Sequence, residues 1–301
     1  MIKARIKGRL GNQLFIYGFA RYLCERYGQE ALLYDRKDET DYLWHSHLDR
    51  FKLHDSVSFT SDKKEIMKMG LKRKSLFLYD RIQCKLENDH RVVYDRQMRN
   101  LSKYINNGLL LLGDGVCDLP ENIPGDLFFD GYFQSDRYLY PIRDKLIEEL
   151  VPIDSFNPEE AELVDRIKEC ESVCVTIRLG DYLGNSTHQV CTKDFYNNAM
   201  KLLSEKRPGC KFFIFSDDVA MAKDVFDFDF PVVYDSGKSK DSISLKIMAQ
   251  CKHFIISNSS FSWWAQYLSE YSDKIVISPT RWFAEDIPCD IMQDSWVRLE
   301  S

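Results

Sequence analysis

Between residues 172 and 278 short apolar runs alternate with helix-length segments, and this rhythm restricts the fold more than any other feature of the chain. The order is "SVCVTI" (172–177), a helix near 192–206, "FFIF" (212–215), a short helix, "PVVY" (231–234), a helix over 242–251, "HFIIS" (253–257), a helix over 261–270 and "KIVIS" (274–278). Strands that are apolar throughout are covered on both faces, and strands separated by single helices run parallel, so a doubly wound parallel sheet is predicted. Such sheets bind ligands outside the carboxyl ends of their strands. The residues delivered there are Arg178 with Asp181, then Ser216, Asp217 and Asp218, then Asp235 and Ser236, then Ser257 to Ser260, and last Pro279, Arg281 and Trp282. Five strand ends supplying polar groups to one edge point to a nucleotide-like ligand.

The first half opens as a second βαβ unit: a strand over Ile2 to Lys7, the loop "GRLGN", an apolar-periodic helix from about Gln13 to Tyr27, and the strand "ALLY". From 36 to 107 the pattern blurs into mixed helix and loop, and order returns with "LLLL" at 109–112 and "DLFFDGYFQSDRYL", leading into a helix through Leu150. The stretch "VPIDSFNPEE" holds two prolines and a helix start at Asn157-Pro158, so the domains are expected to be 1–150 and 151–301, the second carrying the nucleotide-binding edge.

Composition narrows the partners. The 41 basic and 47 acidic residues give a net charge of −6, against nucleic acid as a partner and in favour of a small molecule or glycan. Nine cysteines include no C-x-x-C pair, which suggests neither a disulfide framework nor a zinc cage and fits a reducing compartment. "MIKARIKGRL" is charged every two or three residues and reads as no leader, and no apolar run approaches the roughly 18 residues of a membrane span. In "KKEIMKMGLKRK" the basic residues from Lys63 to Lys74 are interleaved with apolar ones, as on a solvated helix face or a weak contact with an anionic membrane surface.

Three motifs carry chemistry. In "SNSSFSWWAQYL", Phe261, Trp264, Ala265 and Leu268 fall on one helix face, expected to be the one packed on the sheet, with Trp263 and Tyr267 on an adjacent stripe. The polar residues ahead of them stand at the helix N-terminus, where free N–H groups and the macrodipole favour phosphate, although one would serve as an ordinary cap. In "VTIRLGDY", Arg178 ends a strand, and its forked guanidinium suits a diphosphate that gains charge as it leaves. An Arg–Asp ion pair is the structural alternative, while Asp181 is a candidate general base for an acceptor hydroxyl. In "GRLGNQLF" the spacing of Gly8 and Gly11 is not that of the dinucleotide fingerprint, which argues against an oxidoreductase. The "DFD" at 227–229 has a D-x-D form but lies in an apolar-acidic alternation, and His45 and His47, on one face of an expected strand, find no further ligands.

Taken together, "GRLGNQLFIYGFARYL", "DGYFQSDRYL", "VTIRLGDYL", "FFIFSDD", "SLKIMAQCKHFIISNSSFSWWAQYL" and "VISPTRWF" resemble the α-1,2-fucosyltransferases of glycosyltransferase family 11, in that family's order and over nearly the whole chain. The resemblance implies an α/β, GT-B-like fold of two Rossmann-like doubly wound domains facing across a cleft. It also implies GDP-fucose as donor, no cofactor or metal, and inverting transfer to the 2-hydroxyl of a galactose-type acceptor. Arg178 and Asp181 match the first arginine and the aspartate of the family's H-x-R-R-x-D motif, whereas Thr176 replaces its histidine and Leu179 its second arginine. Donor contacts are implied for Asn12, Gln13, Arg178, Ser216, Asp217, Asp218, Ser257, Asn258, Ser259 and Ser260, with Asp217 or Asp218 on the guanine or ribose. Tyr132, Phe133 and Gln134 are implied on the acceptor side, where the two rings either stack on a sugar or pack in the core. The partners expected are thus GDP-fucose and a galactose-containing oligosaccharide or lipid-linked glycan. The expected location is the cytoplasm, peripheral at the inner membrane face.

Overall fold

A computed structural model describes residues 1–35, 46–182 and 184–301; of Asp181 it describes the backbone only. The chain forms two compact units, Met1–Leu150 with Asp286–Ile291, and Val151–Glu285 with Met292–Ser301. The segment 286–291, placed with 151–301 on the sequence pattern, thus clusters with the first unit. Its polar groups are matched there: Ser135 Oγ donates to Asp290 Oδ2 at 2.6 Å, and Arg91 Nη2 donates to Asp286 Oδ1 at 2.6 Å. A return so short and so dependent on long-range partners leaves no periodic trace in the sequence.

The first unit holds β1 (Ile2–Arg5), β2 (Ala31–Tyr34), β3 (Val57–Thr60), β4 (Leu109–Leu111) and β5 (Leu127–Asp130), all parallel, in the order β3-β2-β1-β5-β4. β3 falls in the stretch read as helix and loop; its "VSFT" is short and only Val57 is fully buried, so it gives little apolar signal. The helix Leu10–Tyr27 follows β1 with thirteen buried residues and stops at Gly28, whose φ of 61° suits glycine. Arg21 and Tyr17 tie that helix to Glu149, with Tyr17 Oη donating at 2.5 Å and Arg21 Nε at 3.0 Å.

The second unit holds β6 (Ser172–Ile177), β7 (Lys211–Ser216), β8 (Val232–Tyr234), β9 (His253–Ile255), β10 (Val276–Pro279) and β11 (Val297–Leu299). They are parallel in the order β11-β10-β9-β6-β7-β8, which is the 3-2-1-4-5-6 sequence of dinucleotide-binding sheets read from the other edge. Every residue of β6 is buried, as a central strand covered on both faces requires. Both units are Rossmann-like parallel α/β structures, the GT-B-like class expected from the sequence. The direction of winding reverses between β6 and β9, and that junction is where a ligand crevice forms in sheets of this kind.

Candidate active site

At the second unit's reversal point two strand ends lie side by side. Val175 pairs with Ile255, and Arg178 and Asn258 each stand three residues further along. Arg178 Nη1 is 3.2 Å from Asp217 Oδ2, and its guanidinium lies 5.4 Å from the centre of the Tyr182 ring. Asp217 also accepts from the Leu179 backbone N–H at 2.8 Å, so one carboxylate from the end of β7 holds both the arginine and the turn behind it. Gly180 permits this approach, because a Cβ there would sit 2.5 Å from Asp217 Oδ2. Arg178 is thus ion-paired, and it stands at the edge where sheets of this kind bind their ligands.

Across β9, the opening stretch of the helix Ser260–Leu268 is braced from several sides. The buried Ser257 donates its backbone N–H to Thr176 Oγ1 at 3.0 Å, and its hydroxyl lies 3.1 Å from that of Ser262. Asn258, also buried, donates to the carbonyls of His188 and Trp282 at 3.0 and 2.9 Å, and its own carbonyl accepts from Tyr182 Oη at 3.2 Å. Ser259 is the N-cap residue but makes no side-chain cap bond. Asn258 and Ser257 thus shape the loop with their side chains, and the loop leads into a helix N-terminus, a position whose backbone N–H groups in general favour an anion. Residues 262–267 of this helix are all buried while Phe261 and Leu268 are only half-buried, so the single packed face expected from the periodicity is in fact a nearly complete jacket. Trp263 stacks on Tyr267 at 4.6 Å, and the neighbouring Trp264 is equally inaccessible.

The remaining expected residues fall as follows. Ser216 Oγ and Asp218 bond to each other, and Asp218 caps the helix Val219–Val225 through Met221 N at 2.9 Å. Asp235 is buried and accepts from Gly237 N at 2.9 Å; burial outweighs this bond and one from Ser236 and raises its carboxyl above the usual range. Pro279 closes β10, Trp282 is buried against Trp296, and Arg281 is exposed. Asp181 lies in the turn Gly180–Tyr182, with its side chain outside the described residues. Asp227 is exposed with Lys193 at 3.8 Å, and among the described residues no three His, Cys, Asp or Glu side chains cluster as metal ligands. His45 lies outside the described residues, and His47 precedes the short 3-10 turn Leu48–Arg50 instead of lying in a strand.

Thr176, Tyr182 and His188 were not among the expected site residues. His188 sits 5.1 Å from the Tyr182 ring and 5.7 Å from that of Phe283, both measured between ring centroids. The signal that could have found them is proximity in sequence to Arg178, since the loop that follows β6 must fold back over the sheet edge. Leu179, where the resemblance led us to expect a second arginine, is buried in the apolar core with Val175, Phe195 and Ile255. Position 179 therefore packs inward, and the leucine is the residue its surroundings require.

In the first unit the corresponding edge follows β1 and β5. Lys7 Nζ donates to Asp130 Oδ1 at 3.0 Å and lies 4.8 Å from the Tyr132 ring centre, and Arg5 donates to Asp130 Oδ2 at 2.7 Å. Gln134 Nε2 donates to Asn12 Oδ1 at 2.7 Å, which joins the two expected stretches. Gln13 is fully buried, donating to Gly8 O at 2.8 Å and accepting from His47 N at 2.9 Å, so it ties loop backbone together. Phe133 does not present its ring to a sugar: it has φ of 51° and stacks on Phe19 at 4.0 Å, edge-on to Phe129 and Tyr138. Tyr132 alternates away from that cluster and is half-buried beside Lys7.

The family model described as glycosyl transferase family 11 matches residues 1–300. The chain belongs to glycosyl transferase family 11. Membership makes this family 11 protein a glycosyltransferase. It is similar to an α-1,2-colitosyltransferase of Escherichia coli, 30% identical over 322 residues that cover 100% of this chain and 99% of that protein. It is also similar to the O-antigen biosynthesis glycosyltransferase WbnK of Escherichia coli, 28% identical over 317 residues covering 98% of this chain and 99% of the other. Among solved structures, NodZ α-1,6-fucosyltransferase co-crystallised with GDP aligns with a TM-score of 0.49 at 15% identity, covering 88% of this chain and 91% of that one.

Proposed function

We propose that this family 11 enzyme transfers L-fucose from GDP-fucose to the 2-hydroxyl of a terminal galactose-type sugar on an oligosaccharide or lipid-linked glycan, forming an α-1,2 linkage with inversion. The acceptor oxygen attacks the anomeric carbon, the bond from that carbon to the diphosphate breaks, and the hydroxyl proton passes to a carboxylate, for which Asp181 is the candidate. GDP departs with the bonding electron pair. The reading is carried by the placement of Arg178 and of the N-terminus of the helix Ser260–Leu268 beyond the ends of adjacent strands. A fixed cation and oriented N–H groups meeting there stabilise charge that develops on the leaving group, and the step needs no further cation.

A second reading, transfer of colitose from its GDP conjugate, is favoured by the name of the relative at 30% identity. The test is GDP release from GDP-fucose and from GDP-colitose with a panel of β-galactosides, in the presence of EDTA, by the parent and by Arg178→Ala. Acceptor-dependent release from GDP-fucose that survives chelation and falls by roughly a hundredfold to a thousandfold in the variant is the expected result. Release from GDP-colitose alone selects the second reading. Tight GDP binding without release from either donor overturns both and leaves a binding protein.

A further inference from the structure

One helix carries its apolar residues on the wrong side. In the helix Leu71–Leu86 the packed side presents Phe77 and the buried Asp80, while Leu71, Leu78, Tyr79, Ile82 and Leu86 are exposed at 89%, 54%, 49%, 50% and 75%. Successive offsets of seven, one, three and four residues place those five side chains on one face, on the far side from Asp80. Five large apolar side chains left in water on one helix face are unfavourable by the area they leave wet, and a face of this kind is a candidate interaction surface.

Charge identifies the partner. Lys72 borders the stripe on one side, Lys74 and Lys85 on the other, and Lys63, Lys64 and Lys68 lie in and beside the preceding short helix Lys63–Met67. All six are exposed. Residues 63–86 hold eight basic residues against Glu65 and Asp80, and with Arg81 paired to Asp130 and Arg73 bonded to the Gly108 carbonyl the six lysines make up the exposed positive rim, in a chain whose net charge is −6. We infer that this face lies in the surface of an anionic lipid bilayer, with the five apolar side chains entering the headgroup–acyl boundary and the lysines reaching phosphates at its rim. A second copy of the chain fits less well, because stacking stripe on stripe would set the lysines of one copy against those of the other. The basic segment expected from the sequence to touch a membrane supplies the charge, and the apolar contact comes mostly from the turns after it. The inference does not rest on the proposed function.

The test is co-sedimentation of the full chain with vesicles of phosphatidylcholine alone or mixed with phosphatidylglycerol, at low and high salt. The parent is expected to bind only the phosphatidylglycerol vesicles and to be released by salt. Replacing Lys72, Lys74 and Lys85 with Gln weakens binding by roughly a hundredfold, about fivefold for each lysine. Replacing Leu78, Ile82 and Leu86 with Ser weakens it by about tenfold or more. All six are exposed, and circular dichroism verifies the fold; if the serine variant does not fold, the glutamine variant decides alone. No binding by the parent, equal binding to both vesicles, or binding that a folded variant retains in full overturns the inference. So does a parent dimer in sedimentation velocity that the serine variant dissociates.

Discussion

At the residue scale, Arg178 owes its position to Asp217, and the neighbouring position obeys the opposite rule. An arginine introduced at 179 would place an unpaired guanidinium among Val175, Phe195 and Ile255. We expect Leu179→Arg to lose about 3 to 5 kcal/mol of stability and to gain no donor affinity, which urea unfolding and GDP titration would measure together. Improved GDP binding by a folded variant would refute this. The sequence marked Arg178 because a basic residue directly after a six-residue apolar strand is conspicuous. It could not say which way residue 179 turns, because a chain leaving a strand loses its twofold alternation and the contact with Asp217 is 38 residues away. Phe133 was illegible for a similar reason: its positive φ reverses the face it presents, and an adjacent pair of rings gives no warning of that.

At the element scale, the strand–helix rhythm of the second half was readable because each strand is nearly all apolar and each helix has a periodic stripe. The helix Ser260–Leu268 breaks the method by being buried almost all round. The helices Leu71–Leu86, His90–Arg99 and Leu101–Ile105 break it differently, since their shared interior is polar: Asp80 accepts from Arg96 at 3.1 Å, Gln97 at 3.1 Å and Tyr104 at 3.3 Å, while leucines face outward. A pattern with a carboxylate inside and leucine outside has no readable polarity. The same dependence on single polar contacts governs the strand ends of the second sheet, where Thr176 is the acceptor for the buried Ser257 N–H. Thr176→Val preserves shape and removes that acceptor, so it is expected to lose about 1 to 3 kcal/mol. It should also raise the KM for the donor and lower kcat, because the loop it braces leads into the helix N-terminus proposed to stabilise the departing diphosphate. Unaltered stability and KM would show that the brace is dispensable.

At the scale of the whole molecule, the parallel, doubly wound character of the second sheet was legible in its strand–helix rhythm, although its edge strand β11 lies beyond that rhythm, whereas the first sheet depends on a jump that no periodicity announces. After β3 the chain crosses to β4 at the opposite edge and inserts β5 beside β1. β5 ends in Asp130, which is bonded to Arg5 at the end of β1 and to Lys7 in the loop beyond it, with Arg81 a further 3.5 Å contact, so the insertion is stapled by charge. Burial works against ionisation of Asp130, and the cations of Lys7, Arg5 and Arg81 overcome it, holding the carboxyl below its usual range. A folded-state value below the unfolded one means that the group stabilises the fold fully above about pH 4, its unfolded value, and that this contribution is lost as pH falls through the lower folded value. Asp130→Asn should therefore be less stable than the parent at neutral pH, by about 3 kcal/mol for removing the carboxylate from a mostly buried cluster. The two proteins should converge as the medium is acidified below the usual carboxylate range. Denaturant unfolding of both across pH 7 to pH 3 measures this, and a stability difference that stays constant down to the acid end would mean that the β1–β5 junction is held by packing and not by the charge of Asp130.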